Sequence, residues 1–302
     1  MTTTDSILDS LADSRNWGYR EGELPAAEPL VWGSIALLGH ERTKQAQPLL
    51  DELCKLQAPD GALGIYEGQA APHWGTSLAV IAWSSALKSS KPSEPAAAER
   101  YRAAVVRGCQ FLIELKGATI KPSGEVTHNT MLVGWPWVES THSWLEPTAF
   151  CFLALKAAGM RSHPRADEAV QLMIDRILPA GGCNYGNTIV LDQVLRPHIQ
   201  PTGIVLLALA GEADRNERVL KSIAWLEQSI DENTTIGSLA FAAMGLAAHD
   251  RSPVDILSRL EFALAKPTAT LGAALPRRSL AALAMLGPRN PLVKMSREGA
   301  AR

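Results

Sequence analysis

One short pattern returns six times along this chain. It reads x-Pro-Thr-small, then a run of small and aliphatic residues closing on aliphatic-Ala-Leu. Two copies are plain: Glu146-Pro147-Thr148-Ala149 leads to Leu153-Ala154-Leu155, and Gln200-Pro201-Thr202-Gly203 leads to Leu207-Ala208-Leu209. Glu28-Pro29-Leu30 leads to Ile35-Ala36-Leu37, and Trp74-Gly75-Thr76 to Ile81-Ala82-Trp83. Degenerate copies run from Gly237 to Ala242-Ala243-Met244 and from Arg278 to Leu283-Ala284-Met285. A unit that cannot bury its own apolar face needs its neighbours, so such a repeat dictates the architecture.

Each anchor predicts the start of a helix, because proline at the first helical position gives up an N–H that had no partner there. These helices are apolar on nearly every face; Thr202 to Ala210 carries no charge. A helix apolar all round is buried. Between the anchors lie amphipathic segments, predicted as helices over 41–57, 96–116, 164–178, 213–230 and 253–266. In the second, Tyr101, Val105, Cys109, Leu112 and Leu115 recur at helical spacing. Alternating buried and amphipathic helices build either an open solenoid or a closed double ring. The anchor spacings are uneven (46, 72, 54, 37 and 41 residues), which favours the ring. The expected fold is therefore all-α, a single α/α toroid with apolar helices inside and amphipathic ones outside. Residues 1–27 are expected to pack on the ring, 28–288 to form it, and 289–302 to trail as a tail.

The long connections 58–72, 117–145 and 179–199 feed the N-termini of inner helices. All should meet at one mouth. They are rich in Trp, Tyr, His and Gly, and ordered loops of this length usually carry function.

Composition excludes several classes. With 29 basic and 31 acidic side chains the net charge is −2, which gives no case for nucleic acid or an anionic membrane. Met1 to Ser14 lack an apolar core, so no signal peptide is expected, and no apolar run approaches the ~18–20 residues of a membrane span. Four scattered cysteines without a CxxC pair point to a reduced, cytoplasmic setting.

Three local motifs carry a family resemblance. Gln57-Ala58-Pro59-Asp60-Gly61 resembles a Gln-x-x-Asp-Gly repeat turn. Gly181-Gly182-Cys183-Asn184-Tyr185-Gly186-Asn187 resembles a Gly-Gly-aromatic-x-Tyr-Gly-Asn turn with Cys in the Trp slot, and Trp225-Leu226-Glu227-Gln228-Ser229 another outer-helix ending. Together with the alternation, they make residues 28–286 look like the α/α toroid of squalene and oxidosqualene cyclases, class II terpene cyclases and protein prenyltransferase β subunits. That resemblance implies an isoprenoid-like hydrophobic ligand, a central cavity, no cofactor, and protonation-initiated cyclisation. Those cyclases place the cavity between two helical domains, so a single ring implies a second copy or a partner chain completing the pocket.

The richest stretch is 135–149. In class II cyclases the equivalent place carries Asp-x-Asp-Asp-Thr-Ala. Laid on that pattern, Thr148-Ala149 match and Glu146 takes the place of the proton-donating Asp, flanked by Trp144 and Pro147. An acid aimed into a dry apolar ring holds its proton at neutral pH, and aromatic walls stabilise a cation by about 0.5–2 kcal/mol each. His142 and Glu139 are the candidate partners of Glu146; Trp135, Trp137, Trp144, Trp74, His73, Tyr185 and Gln200 are the candidate substrate contacts. Two other readings of Glu146 stay open. It can be a helix N-terminal carboxylate favoured by the macrodipole, or half of a glycosidase-like pair with Glu139. A non-catalytic module binding lipid or protein is the rival function. A prenyltransferase-like zinc site would have to draw on Cys183, Asp192 and His198, without the expected Asp-x-Cys pair; no metal is expected. Pro276-Arg277-Arg278 opens an inner helix and either meets an anion or stands solvated.

Overall fold

The computed structural model describes residues 3–20, 22–69, 71–91, 93–122, 126–265 and 275–298. The six anchors open helices α2 (Ala27–Gly39), α4 (Gly75–Leu87), α6 (Leu145–Ala157), α8 (Ile199–Leu209), α10 (Ile236–Ala248) and α12 (Leu275–Ala284). Each is buried along almost its whole length. The amphipathic segments form α3 (Thr43–Leu56), α5 (Pro95–Glu114), α7 (Pro164–Arg176), α9 (Glu217–Ser229) and α11 (Val254–Ala265), close to the predicted bounds; Lys266 lies outside the described residues.

The inner helices pack in the order α2, α4, α6, α8, α10, α12, and α12 packs back on α2. This closed circuit excludes the solenoid. At the seam between last and first, the His40 ring donates to the Ala282 carbonyl (3.0 Å); His249 does the same to Leu206 between α10 and α8 (2.9 Å). The α8–α10 contact is the tightest, because a Cβ at Gly203 would stand 2.6 Å from the Phe241 backbone. Only glycine permits that approach.

The repeated anchor has a concrete job. Thr76 Oγ1 accepts from Leu63 N–H (2.8 Å), Thr148 Oγ1 from Trp135 N–H (3.0 Å) and Thr202 Oγ1 from Cys183 N–H (2.8 Å). Each threonine thus ties the incoming long loop to the first turn of its inner helix. The preceding glycine turns clamp onto the next outer helix. Gly61 (φ 93°) lies against the Arg107 backbone on α5, and Gly181 (φ 95°) against Lys221 on α9. The left-handed φ and the closeness of backbone both require glycine there.

The ends of the chain close the ring. In α1 (Thr3–Ala12), Ile7, Leu8 and Leu11 are buried, and the helix packs on α12 and α2; Trp17 packs on Gly33. The segment expected to trail as a tail instead contributes α13 (Pro291–Arg297), which packs under α6, α8 and α10. Its buried Leu292, Val293 and Met295 explain why it docks. A two-residue hairpin, β1 (Ile189–Val190) with β2 (Gln193–Val194), decorates the third long loop.

Candidate functional site

The long loops meet at the N-terminal end of the inner helices, as the pattern predicts. Ala27 N–H donates to Ile65 O (2.8 Å), Leu145 N–H to Tyr185 O (3.0 Å), and Val126 pairs with Val190. Three anchors place polar side chains at this mouth: Glu28 on α2, Glu146 on α6 and Gln200 on α8. One turn deeper, at i+4 from Glu28, Glu146 and Gly237, stand Trp32, Phe150 and Phe241. Their rings meet pairwise at 5.9, 5.8 and 6.1 Å and form an aromatic floor across the ring interior.

The two carboxylates of this layer differ. Glu28 accepts from Tyr19 Oη (2.9 Å) and Trp32 Nε1 (3.2 Å). Burial first, then Glu28, raises the Tyr19 hydroxyl above its ordinary pKa, so it donates and stays neutral. Glu146 is 8% exposed, and its Oε1 has no hydrogen-bond partner among the described residues. Burial, with a smaller push from Glu28, raises its carboxyl to about 7, while the Gln200 amide pulls the other way. The helix dipole favours the anion by only about 0.3–1 kcal/mol, less than burial costs it. Glu146 is therefore no ordinary N-terminal carboxylate: the N-cap residue Trp144 gives its helix no side-chain cap, and Glu146 Oε1 accepts no backbone N–H among the described residues.

The other candidates are distributed. Gln200 stands beside Glu146. Glu139 is half-exposed on the second loop and bonds His73 Nδ1 (2.8 Å), so the carboxylate acting on Glu146 is Glu28 and not Glu139. His142 lies against Trp144 (ring centroids 4.5 Å) and lines a separate cavity. Trp74 and Trp137 meet edge to face at 5.9 Å, joining the first and second loops. Trp135 is a bolt: fully buried, it donates from Nε1 to Leu112 O (2.7 Å) and carries the Arg165 guanidinium 3.9 Å over its ring. Tyr185 is exposed and rests against His198 at 5.0 Å. Cys183 fills its Trp slot as a buried thiol, pushed up to about 12 by burial. No group of three His, Cys, Asp or Glu side chains fit to hold a metal occurs among the described residues.

Glu28 and Tyr19 join the site without having been singled out. The signal was present for Glu28. The dipeptide Glu-Pro occurs at both anchors, but the residue four further on is Trp32 in one and Phe150 in the other. Tryptophan brings an N–H to its glutamate; phenylalanine has none to offer.

No protein-family model matches this sequence, and no curated protein matches it. Solved structures do. The native conformation of alpha-2-macroglobulin from Escherichia coli is similar over 94% of this chain and 17% of that one, at 12% identity and a TM-score of 0.51. Salmonella alpha-2-macroglobulin reacted with methylamine is similar over 93% of this chain and 17% of that one, at 13% identity and a TM-score of 0.50. This chain thus spans about a sixth of the length of those proteins, and the likeness concerns the fold alone. A likeness of fold does not carry activity, so activity has to be argued from the site's own chemistry. No helix among the described residues is long and apolar enough to cross a membrane.

Proposed function

We propose that the mouth of the ring holds a mostly apolar small molecule bearing one oxygen acceptor, such as an isoprenoid alcohol or epoxide, and that the protonated Glu146 carboxyl donates a hydrogen bond to that oxygen. The bare, buried Glu146 Oε1 carries this reading. Leaving a buried polar atom unpaired costs about 1–3 kcal/mol, which a ligand group placed there would relieve. Trp32, Phe150 and Phe241 supply an apolar floor one turn below.

Catalysis by protonation is the second reading, and the pKa restricts it. An acid raised to about 7 is about half protonated at neutral pH and is a weak proton donor. An isolated alkene is too weak a base for such a donor. An epoxide or alcohol oxygen is the acceptor that fits.

Farnesol and 2,3-epoxysqualene, with the hydrocarbon squalene as control, separate these readings. Binding of the oxygenated probes should weaken as pH rises through about 7, where Glu146 ionises. Glu146→Leu should lose about tenfold in affinity, as one hydrogen bond implies, whereas Glu146→Gln keeps a donor and keeps binding. If the reaction is real, Glu146→Gln ends turnover of the epoxide while binding persists. Equal affinity for squalene, or an unaffected Glu146→Leu variant, would sink the proposal.

A further inference from the structure

A cavity of about 260 Å³ lies between the second and third long loops; Glu146 is not among its lining residues. Its walls divide in two. Ala118, Ile120, Val126 and Leu132 are apolar, while Lys121, His128, His142, Arg176 and Asn187 bring nitrogen. Among the described residues no carboxylate lines it. Arg176 is buried at its base and already engaged: its guanidinium donates to Asp175 (3.1 Å), Gly186 O (2.7 Å) and Asn129 O (3.1 Å). His128 is buried too, with Thr188 Oγ1 3.4 Å from its Nδ1. The His142 ring and the Lys121 ammonium make no hydrogen bond among the described residues. Two imidazoles and one ammonium therefore face a half-apolar space over a fixed positive charge.

We infer that this cavity binds a small organic monoanion, a carboxylate on a short apolar body, whose charge meets Lys121, His128 and His142 and whose carbons lie on Ile120, Val126 and Leu132. A single ammonium without a hydrogen bond among the described residues matches a monoanion better than a phosphate dianion. The apolar wall would be wasted on an inorganic ion. At about 25–30 Å³ per heavy atom the space takes roughly eight to ten, the size of hexanoate.

The ligand also explains the state of the histidines. In the free chain, burial and Arg176 lower both imidazoles, His128 to about 4; Asp175 works against this at His128, and His142 with it. An arriving carboxylate favours the imidazolium forms, so binding takes up protons and strengthens as pH falls.

Hexanoate, hexanol and inorganic phosphate test the inference by titration of the intact chain, followed through the ring proton resonances of His128 and His142. Hexanoate should shift both signals saturably, with affinity rising about tenfold from about pH 7.5 to about pH 5.5. Lys121→Met, an exposed position, should weaken it about tenfold with the helical circular dichroism unchanged. Comparable binding of hexanol or of phosphate overturns the inference, as does a Lys121→Met variant that binds hexanoate unchanged. It stands or falls independently of Glu146, since the reporting histidines line this cavity and Glu146 does not.

Discussion

Helix α6 buries an ionisable side chain at each end, and the two are treated in opposite ways. At its C-terminal end Lys156 is fully enclosed. Its ammonium donates to Glu212 (2.8 Å), to Ala210 O (3.3 Å) and to Ser296 O on α13. Arg161 completes the other face of Glu212 at 2.7 Å. Every strong donor and acceptor there is used. At the N-terminal end Glu146 is almost as deeply buried and lacks a partner on Oε1 among the described residues. Burial lowers the Lys156 pKa and raises that of Glu146, so the same physical cause acts on both. At the lysine, Glu212 opposes the shift and holds the charge. At the glutamate only the neutral Gln200 amide opposes it, and the carboxyl settles at about 7. A sealed end and an open end on one helix distinguish structural burial from burial that awaits a ligand.

The largest effect should come from breaking the sealed end. Lys156→Ala leaves Glu212 buried with Arg161 alone and removes the donor to Ser296 O. Removing one partner of a buried pair typically costs about 3–5 kcal/mol. Chemical denaturation should show a loss of that order, and a change under about 1 kcal/mol would mean that α13 seals the ring by apolar contact alone.

The open end should instead betray itself through pH. Glu146 binds its proton more tightly folded than unfolded, where its pKa is the ordinary 4.5. Between about 4.5 and about 7 the native state therefore holds more protons than the unfolded one, and stability falls as pH rises through that window. The full fall is roughly 3 kcal/mol, at about 1.36 kcal/mol per pKa unit. Glu146→Gln should flatten this component and be the more stable protein at about pH 8. Denaturation curves for both proteins across the window measure it, and identical pH slopes would place the carboxyl in contact with water or a cation.

Much of this frame was legible in the chain because its signals are local. Proline and threonine at Glu146-Pro147-Thr148 mark a helix start whatever surrounds them, and an uncharged run such as Thr202 to Ala210 has to be buried. Uneven anchor spacing pointed to the closed ring that α12 completes on α2. What stayed hidden depends on partners far along the chain. The tail became α13 because three apolar residues in 291–297 find the underside of the ring, a surface that exists only once the ring has closed. Glu139 and His142 stood near Glu146 in sequence, yet the loop turns Glu139 out to His73 and His142 onto Trp144. Proximity along a loop says little about direction. The contrast between Glu28 and Glu146 was readable only at the level of one ring nitrogen, present in Trp32 and absent in Phe150.

The smallest effect concerns how the open end keeps its shape without ionic help. Thr148 sits two residues past Glu146, and its Oγ1 receives the buried Trp135 N–H at 3.0 Å. Valine has nearly the same shape, so Thr148→Val leaves the packing in place and orphans that N–H, at about 1–2 kcal/mol. Thr202→Val should cost a similar amount, because it orphans the Cys183 N–H in the same way. The two should part in their reach. Trp135 pairs with Trp144, the N-cap residue of α6, so the Thr148 variant should loosen the second loop around Glu146. Amide exchange should accelerate at Trp135 and Trp144 in Thr148→Val and stay unchanged there in Thr202→Val. Equal acceleration in both variants would mean that the mouth opens as one unit and that Glu146 owes its dryness to all three loops together.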